Sequence, residues 1–244
     1  MKKKAVANSP KAGARHLKNR VRDILTTMEI APALDELYQL PARQVINPLF
    51  SFLYREDNHL KWAAVTAMGA IVARLADEDM EAARVIVRRL MWNLNDESGG
   101  IGWGSPEAMG EILACHKTLA KEYARILISY ACEDGNFQEH ELIQRGVLWG
   151  IGRLSQVRPD LVRHAVPYLI PYLKSRDAGI RGLAAWIMGL LGAEEARPCL
   201  EHLADDEARL QVYLERRLVE FSVKELAEEA LPFTFHLRES DSYP

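Results

Sequence analysis

DAGIRGLAAWIMG (residues 177–189) and DNHLKWAAVTAMG (residues 57–69) follow one template. Each begins with Asp, has an apolar residue three positions later, a basic residue at the fourth and Ala at the seventh. An apolar pair followed by Gly closes the template at positions ten to twelve. Apolar residues at this spacing fall on one face of an α-helix. The repetition therefore predicts helices that recur along the chain and pack through the same face.

Two further stretches fit the template less completely. A third copy begins at His140 and ends at Gly152, and a late copy begins at Asp205. The third copy keeps Ile143, Val147 and Ile151, and the late copy keeps Ala208, Arg209 and Val212. Both copies predict further helices of the same kind.

The template has a direct physical interpretation. Asp at its start can accept hydrogen bonds from the free N–H groups at the N-terminus of the helix. The basic residue four positions later lies one turn along the same face, where it can pair with this Asp or with an acid of a neighbouring repeat. Small residues allow adjacent helices to stack closely. The template thus predicts the second helix of a stacked helix pair.

This pattern resembles HEAT repeats, in particular the short HEAT-like units named after phycobilin lyases, over residues 42–220. The resemblance implies an all-α fold, an α-solenoid of about five stacked helix pairs, with no β-sheet. Residues 1–14 are expected to form a basic, disordered arm, residues 15–236 the single solenoid domain, and residues 237–244 a flexible tail.

Charge is distributed unevenly along the chain. Up to Arg22 there are eight Lys and Arg residues and no acid, which leaves 23 basic and 34 acidic residues in the remainder. The basic arm could contact nucleic acid or an anionic membrane, or simply be solvated. The acidic body disfavours nucleic acid as a general partner, because phosphate contacts supply most non-specific affinity.

The remaining composition indicates a cytoplasmic protein. The longest apolar run, residues 182–193, is too short to span a bilayer. Cys115, Cys132 and Cys199 are scattered, as expected of free thiols in a reducing compartment. No metal site or cofactor is expected, since Cys115 and His116 point to different helix faces and residues 134–145 lack the Gly and Glu of a calcium loop.

A glycine-rich stretch, DESGGIGWGSPEAMGEI at residues 96–112, interrupts the pattern. Its last part aligns with the end of the 57–69 copy, so the first turns of this second helix are replaced by a loop. The helix is predicted to resume with Ser105 as N-cap and Pro106 as its first residue. The loop is either a contact surface or a capping loop with Trp103 as its plug.

Four of the five tryptophans fall on the helix face opposite the core stripe, which lines the concave groove in a HEAT-like stack. Aromatic walls with a few convergent charges are typical of a ligand or base-stacking site. Alternatively, the tryptophans fill space between second helices and the charges form ion pairs between repeats.

These observations favour a non-enzymatic scaffold, without catalytic residues, that binds a protein segment or small ligand in the groove, with residues 99–104 as a contact. The candidate binding residues are Gly99, Gly100, Ile101, Gly102, Trp103, Gly104, Ser105, Glu107, Glu111, Trp62, Arg145, Trp149, Arg153 and Trp186.

An enzymatic alternative rests on four of these residues. Trp103, Glu107, Arg145 and Trp186 resemble the concave constellation of HEAT-like DNA alkylation-repeat glycosylases, with Glu in place of the usual Asp. The resemblance implies stacking of a damaged, positively charged nucleotide, but the acidic body departs from the basic groove of that family. A bilin lyase or isomerase would rest on the name of the repeat alone.

Overall fold

The computed structural model describes residues 10–95 and 102–233. Within these residues the chain is predominantly helical. The helices are α1 (Pro10–Thr27), α2 (Ile30–Tyr38), α3 (Ala42–Leu53), α4 (Asn58–Glu78), α5 (Met80–Leu94), α6 (Ser105–Cys115), α7 (Lys117–Ser129), α8 (Glu141–Val157), α9 (Val166–Leu169), α10 (Ala178–Leu191), α11 (Arg197–Glu201) and α12 (Val223–Phe233). Short 3₁₀ segments cover Pro159–Leu161, Arg163–Ala165, Ile170–Lys174 and Glu194–Ala196.

The helices are arranged as a solenoid of two layers. The second helices α4, α6, α8 and α10 contact one another in that order and form an inner row. Helix α3 packs on α4, α5 on α4 and α6, α7 on α6 and α8, and the 3₁₀ segment Ile170–Lys174 on α10. One continuous hydrophobic core lies between the two layers. The predicted α-solenoid is confirmed.

The predicted role of the first template position is also confirmed. The side chains of Asp57, His140 and Asp177 accept hydrogen bonds from backbone N–H groups in the first turns of α4, α8 and α10, at 3.2, 3.2 and 2.8 Å. These bonds satisfy N–H groups that have no partner within the helix. The first template residue therefore sets where α4, α8 and α10 begin.

Close approach within the inner row depends on glycine. The helices α6 and α8 cross at Gly110 and Gly150, and a Cβ atom added at Gly110 would overlap the backbone of Gly150. A backbone cannot move aside as the end of a flexible side chain can, so this crossing admits only glycine at its present spacing. Small residues in the template thus allow the row to close.

The expectation of a fold without strands is wrong at the late copy. Strands β1 (Arg209–Leu214) and β2 (Arg217–Ser222) form a two-stranded antiparallel hairpin, and α12 follows it and packs on α10. Leu210 and Val212 are buried, and the residues beside them are more exposed. This alternation suits a half-buried strand rather than a helix.

The hairpin turn consists of Glu215 and Arg216, which both have positive φ angles, 48° and 65°. A two-residue turn of this kind follows the twist of the strands, but it is usually built from Asn and Gly. Side chains with a Cβ are strained in this conformation.

No helix among the residues that the structure describes is long and apolar enough to cross a membrane.

The crossing of α6 and α8 predicts opposite effects for two Gly→Ala substitutions. Gly110→Ala should lower the free energy of unfolding by about 1–3 kcal/mol, because it overpacks the crossing. Gly13→Ala should raise it by up to about 1 kcal/mol, since Gly13 lies in α1 with open space around it and Ala favours the helix. Urea unfolding of both variants measures the difference, and a Gly110→Ala variant as stable as wild type would contradict the close crossing.

The strained turn predicts a stabilising substitution. Replacing Glu215 and Arg216 by Asn and Gly should raise the free energy of unfolding by about 1 kcal/mol, because both new residues accept positive φ with less strain. Thermal unfolding followed by circular dichroism measures the effect. A lower melting temperature would show that the two charged side chains contribute more than the turn costs.

Candidate binding site

A hollow of about 570 Å³ lies on the inner face of the solenoid. It is lined by the N-terminal halves of α4, α6, α8 and α10, by the end of α3 with the residues that follow it, and by the hairpin. The size falls in the range of ligand-binding pockets. The inner row therefore provides a concave site at the place where four helices begin.

Exposed apolar residues surround the mouth of this hollow. Seven large apolar residues are exposed within the described part of the chain, and three of them, Tyr54, Trp103 and Leu142, line this hollow. Their exposed fractions are 43%, 37% and 50%. Clustered exposed apolar side chains mark interaction surfaces more often than scattered ones do.

The charged side chains on the inner face are paired between repeats. Lys61 Nζ lies 2.6 Å from Glu107 Oε1, Arg153 Nε lies 2.7 Å from Glu111 Oε2, and Arg181 Nη2 lies 2.6 Å from Asp206 Oδ2. Arg145 likewise forms a two-pronged ion pair with Asp177. These side chains thus form ion pairs between repeats, as in the second of the two alternatives for the inner face.

The Arg145–Asp177 pair shifts the pKa values of both groups. The hydrogen bond from Arg145 to Asp177 raises the pKa of the guanidinium. Burial acts to raise the pKa of Asp177, but hydrogen bonds from Arg145 and from the backbone N–H of Ile180 outweigh it and hold this pKa below its ordinary value. Both groups therefore stay charged, and Arg145 is held in a fixed orientation at the hollow.

Glu107 is the most deeply buried charged residue of the site, with a side chain only 5% exposed. One carboxylate oxygen accepts from Lys61, whereas Oε2 is buried against Gly146 and has no hydrogen-bond partner among the described residues. A Cβ at position 146 would overlap this carboxylate. Glycine in α8 thus makes room for an acid supplied by α6.

The tryptophans have three different environments. Trp62 and Trp149 line the hollow and lie 4.6 Å apart between ring centroids, and Trp103 lies at its mouth. Trp186 is 9% exposed and its ring covers Gly152 of α8, away from the hollow. The constellation of Trp103, Glu107, Arg145 and Trp186 is therefore not brought together.

The remaining candidate residues lie around this site. Gly104 lines the hollow, Gly102 is buried against Asn93 and Ile143, and Ser105, Glu111 and Arg153 lie outside the lining. Gly99, Gly100 and Ile101 lie outside the described residues.

The predicted N-cap of α6 is displaced by one residue. The cap is Gly104 rather than Ser105, which is the first residue of the helix. Gly104 has φ +74°, and a Cβ there would overlap the carbonyl of Leu53. A left-handed conformation in close contact with another backbone requires glycine, so the N-cap of α6 has no side chain to accept a hydrogen bond.

Sequence reasoning missed the part of the site that the hairpin supplies. Arg209, Gln211, Leu218 and Glu220 line the hollow from the hairpin. The signal that could have found them is the alternation of apolar and polar residues in RLQVYL (209–214), which has the period of a strand.

Comparison with known proteins agrees with this architecture. A family model for the HEAT-like repeat matches residues 141–191. These residues form a HEAT-like repeat. An uncharacterized protein of Archaeoglobus fulgidus is 28% identical over 149 residues, which cover 59% of this chain and 73% of that protein.

Solved structures of repeat proteins share the fold. A designed armadillo repeat protein is 16% identical over 93% of this chain and 95% of its own, with a TM-score of 0.57. A second designed armadillo repeat protein, in complex with the peptide (KR)4, is 16% identical over 93% of this chain and 95% of its own, with a TM-score of 0.58. An engineered protein reaches a TM-score of 0.59 at 12% identity, over 95% of both chains. At these identities the likeness concerns the fold, which is that of armadillo and HEAT repeat solenoids.

The ion pair at the hollow predicts a pH-dependent loss of stability. Asp177→Asn keeps an acceptor for the helix N-terminus but removes the charge opposite Arg145. The free energy of unfolding at pH 7 should fall by about 1–2 kcal/mol, as expected for a hydrogen bond to a charged group. Since the folded-state pKa of Asp177 is lowered, the wild type keeps this stability above about pH 4 and loses it as the pH falls through that pKa.

Urea unfolding at pH 7 and pH 3 should therefore show a smaller difference between the two proteins in acid. Glu78→Gln is the control, because Glu78 pairs with Arg74 on the exposed surface of α4, and it should change stability by less than about 0.5 kcal/mol. An Asp177→Asn effect of equal size at both pH values would exclude a role of the charge.

Proposed function

We propose that this chain is a non-enzymatic binding module that holds a segment of another protein in the hollow of its inner face. The observation that carries the proposal is the apolar rim of Tyr54, Trp103 and Leu142 around a hollow of about 570 Å³. Folded proteins seldom leave an indole and two further large apolar side chains clustered in water without a binding role.

The chemistry of the hollow suits a polypeptide. Its rim offers apolar contacts for side chains, and its interior offers carboxylate and guanidinium groups that are already paired and oriented. A peptide presents both kinds of group, since apolar side chains alternate with polar backbone amides and carbonyls along an extended segment. The complex of a designed armadillo repeat protein with the peptide (KR)4 supports this use of the fold.

Trp103 is the main contact in this proposal. It follows Gly102 and precedes the left-handed Gly104, so the glycine-rich loop sets where the indole stands. Because the ring lies at the mouth rather than in the core, it can stack on an incoming side chain at small conformational cost. Gly102 and Gly104 then serve to shape the binding surface around Trp103, while the hollow takes the polar part of the ligand.

The nucleic-acid alternative has less support. Glu107 and Arg145 are each engaged by another repeat, through Lys61 and Asp177. Trp186, the second aromatic member of that constellation, covers Gly152 instead. A flipped nucleotide would thus meet one exposed indole and two charges that already have partners.

Selection from a displayed library of random twelve-residue peptides on the wild-type protein provides the test. We expect the selected peptides to bind Trp103→Ala at least about tenfold more weakly, as for loss of a central interface tryptophan. Trp92→Ala is the matched control, because Trp92 is 70% exposed on the outer helix α5, and its affinity should equal that of the wild type.

The stability of Trp103→Ala distinguishes a binding role of Trp103 from a packing role. Trp103→Ala should lower the free energy of unfolding by less than about 1 kcal/mol, as substitutions at exposed positions usually do. A loss of about 3–5 kcal/mol would show that Trp103 is a core plug. Unchanged binding of every selected peptide to Trp103→Ala would also overturn the proposal.

A further inference from the structure

Tyr213 of the hairpin is held on the inner face by a complete set of contacts. Its ring stacks on Trp62 with centroids 4.6 Å apart and an angle of 8° between the planes. Its hydroxyl lies 3.0 Å from Thr66 Oγ1, and its backbone carbonyl accepts a hydrogen bond of 2.9 Å from Trp149 Nε1. The ring, the hydroxyl and the main chain of one extended tyrosine are thus each engaged by a separate group.

The hairpin is buried most deeply near its base. Near its base, Leu210 fills the space above Gly182 of α10, and Val212 is fully buried. At its tip, Glu215 and Arg216 are exposed and have positive φ angles. Tyr213 lies between these two regions, so it forms the tie that joins the hairpin tip to α4.

Two hollows lie near this tie. Tyr213 lines the one of about 340 Å³, which is bounded by Leu25, Met28 and Ile30 of the first two helices, and its contact partners Trp62 and Trp149 line the one of about 570 Å³. Trp62 and Leu218 line both hollows. Displacement of the hairpin tip would therefore join the two hollows into one longer channel across the inner face.

We infer that Trp62, Thr66 and Trp149 form a recognition subsite for a tyrosine in an extended partner segment, and that the hairpin occupies this subsite in the free protein. The inference rests on the proposed function and names the chemistry of the partner. An incoming tyrosine makes the same stack and the same two hydrogen bonds as Tyr213, so exchange leaves no group of the subsite unsatisfied. The partner gains the joined channel in addition, which the hairpin tip cannot fill.

Thr66 gives the subsite its preference for tyrosine. Its side chain is buried on α4, and the hydrogen bond to the hydroxyl of Tyr213 gives it a specific partner. A buried hydroxyl opposite the phenol selects tyrosine over phenylalanine, because phenylalanine would leave the hydroxyl without this partner.

Hydrogen exchange of the full-length wild-type protein tests whether the hairpin opens by itself. Amides of β1 and β2 that are bonded between the strands should exchange at least about a hundredfold faster than the slowest amides of α4 and α10. Equal protection of hairpin and helices would show that the hairpin leaves only on global unfolding and would overturn the inference. Tyr213→Phe, which keeps the ring but loses the bond to Thr66, should raise hairpin exchange severalfold without changing the helices.

A peptide with the sequence of residues 207–216, EARLQVYLER, tests the subsite in trans. Labelled at one end and followed by fluorescence anisotropy, it should bind Tyr213→Ala at least about tenfold more tightly than wild type, because the subsite is then free. The same peptide with Ala in place of its tyrosine should bind neither protein. Equal affinity of the first peptide for both proteins would overturn the inference. Equal affinity of the two peptides for Tyr213→Ala would overturn it as well.

The two proposals fail separately. Thr66→Val in the Tyr213→Ala background should lower the affinity for the peptide of residues 207–216. Trp103→Ala, by contrast, tests the rim through its affinity for the selected peptides. If Trp103→Ala leaves binding of the selected peptides unchanged while the peptide of residues 207–216 still depends on its tyrosine, the proposed rim contact is wrong and the subsite stands. If Trp103→Ala weakens binding of the selected peptides while the peptide of residues 207–216 does not depend on its tyrosine, the rim contact stands and the subsite is wrong. Should Tyr213→Ala fail to fold, the exchange of wild type and Tyr213→Phe decides the matter.

Discussion

The close crossing of α6 and α8 at Gly110 and Gly150 is the constraint on which the inner face depends. With no side chain at the crossing, the two backbones approach until they touch, and the neighbouring side chains are brought within reach of each other. Glu107 then fits against Gly146, one turn before Gly150. A wider spacing would leave the carboxylate in a gap that water enters, and the site would lose its buried charge.

Ion pairs between repeats follow from this spacing. Each pair joins side chains of different repeats, so the pairs fix the position of one repeat relative to the next. Buried and half-buried pairs of this kind add little net stability against an apolar core, but breaking one leaves an uncompensated charge. Their contribution at this site is geometric: Lys61 and Arg145 are held in place at the hollow by Glu107 and Asp177.

The sequence template predicted the fold and much of the site because it records local geometry. Caps such as Asp57 and Asp177 and the helical spacing of apolar residues are readable from neighbours in the chain. The hairpin was not predicted, since Ala208, Arg209 and Val212 fit the helical template although RLQVYL (209–214) also has the alternation of a strand. A distant contact favours the strand over the helix, because Leu210 packs above Gly182. The partner of each charge likewise depended on repeat spacing, which no single repeat encodes.

The hairpin changes what kind of solenoid this is. In a repeat array each unit contacts only its neighbours, so the two ends of the stack are coupled weakly. Here Tyr213, which follows the last repeat, contacts Trp62 and Thr66 in the first described copy of the template. This contact spans the concave face and joins the hairpin after the last repeat to the first described copy of the template. In the inferred exchange, a partner tyrosine takes over the contacts of this internal link, which a groove left open along its length does not offer.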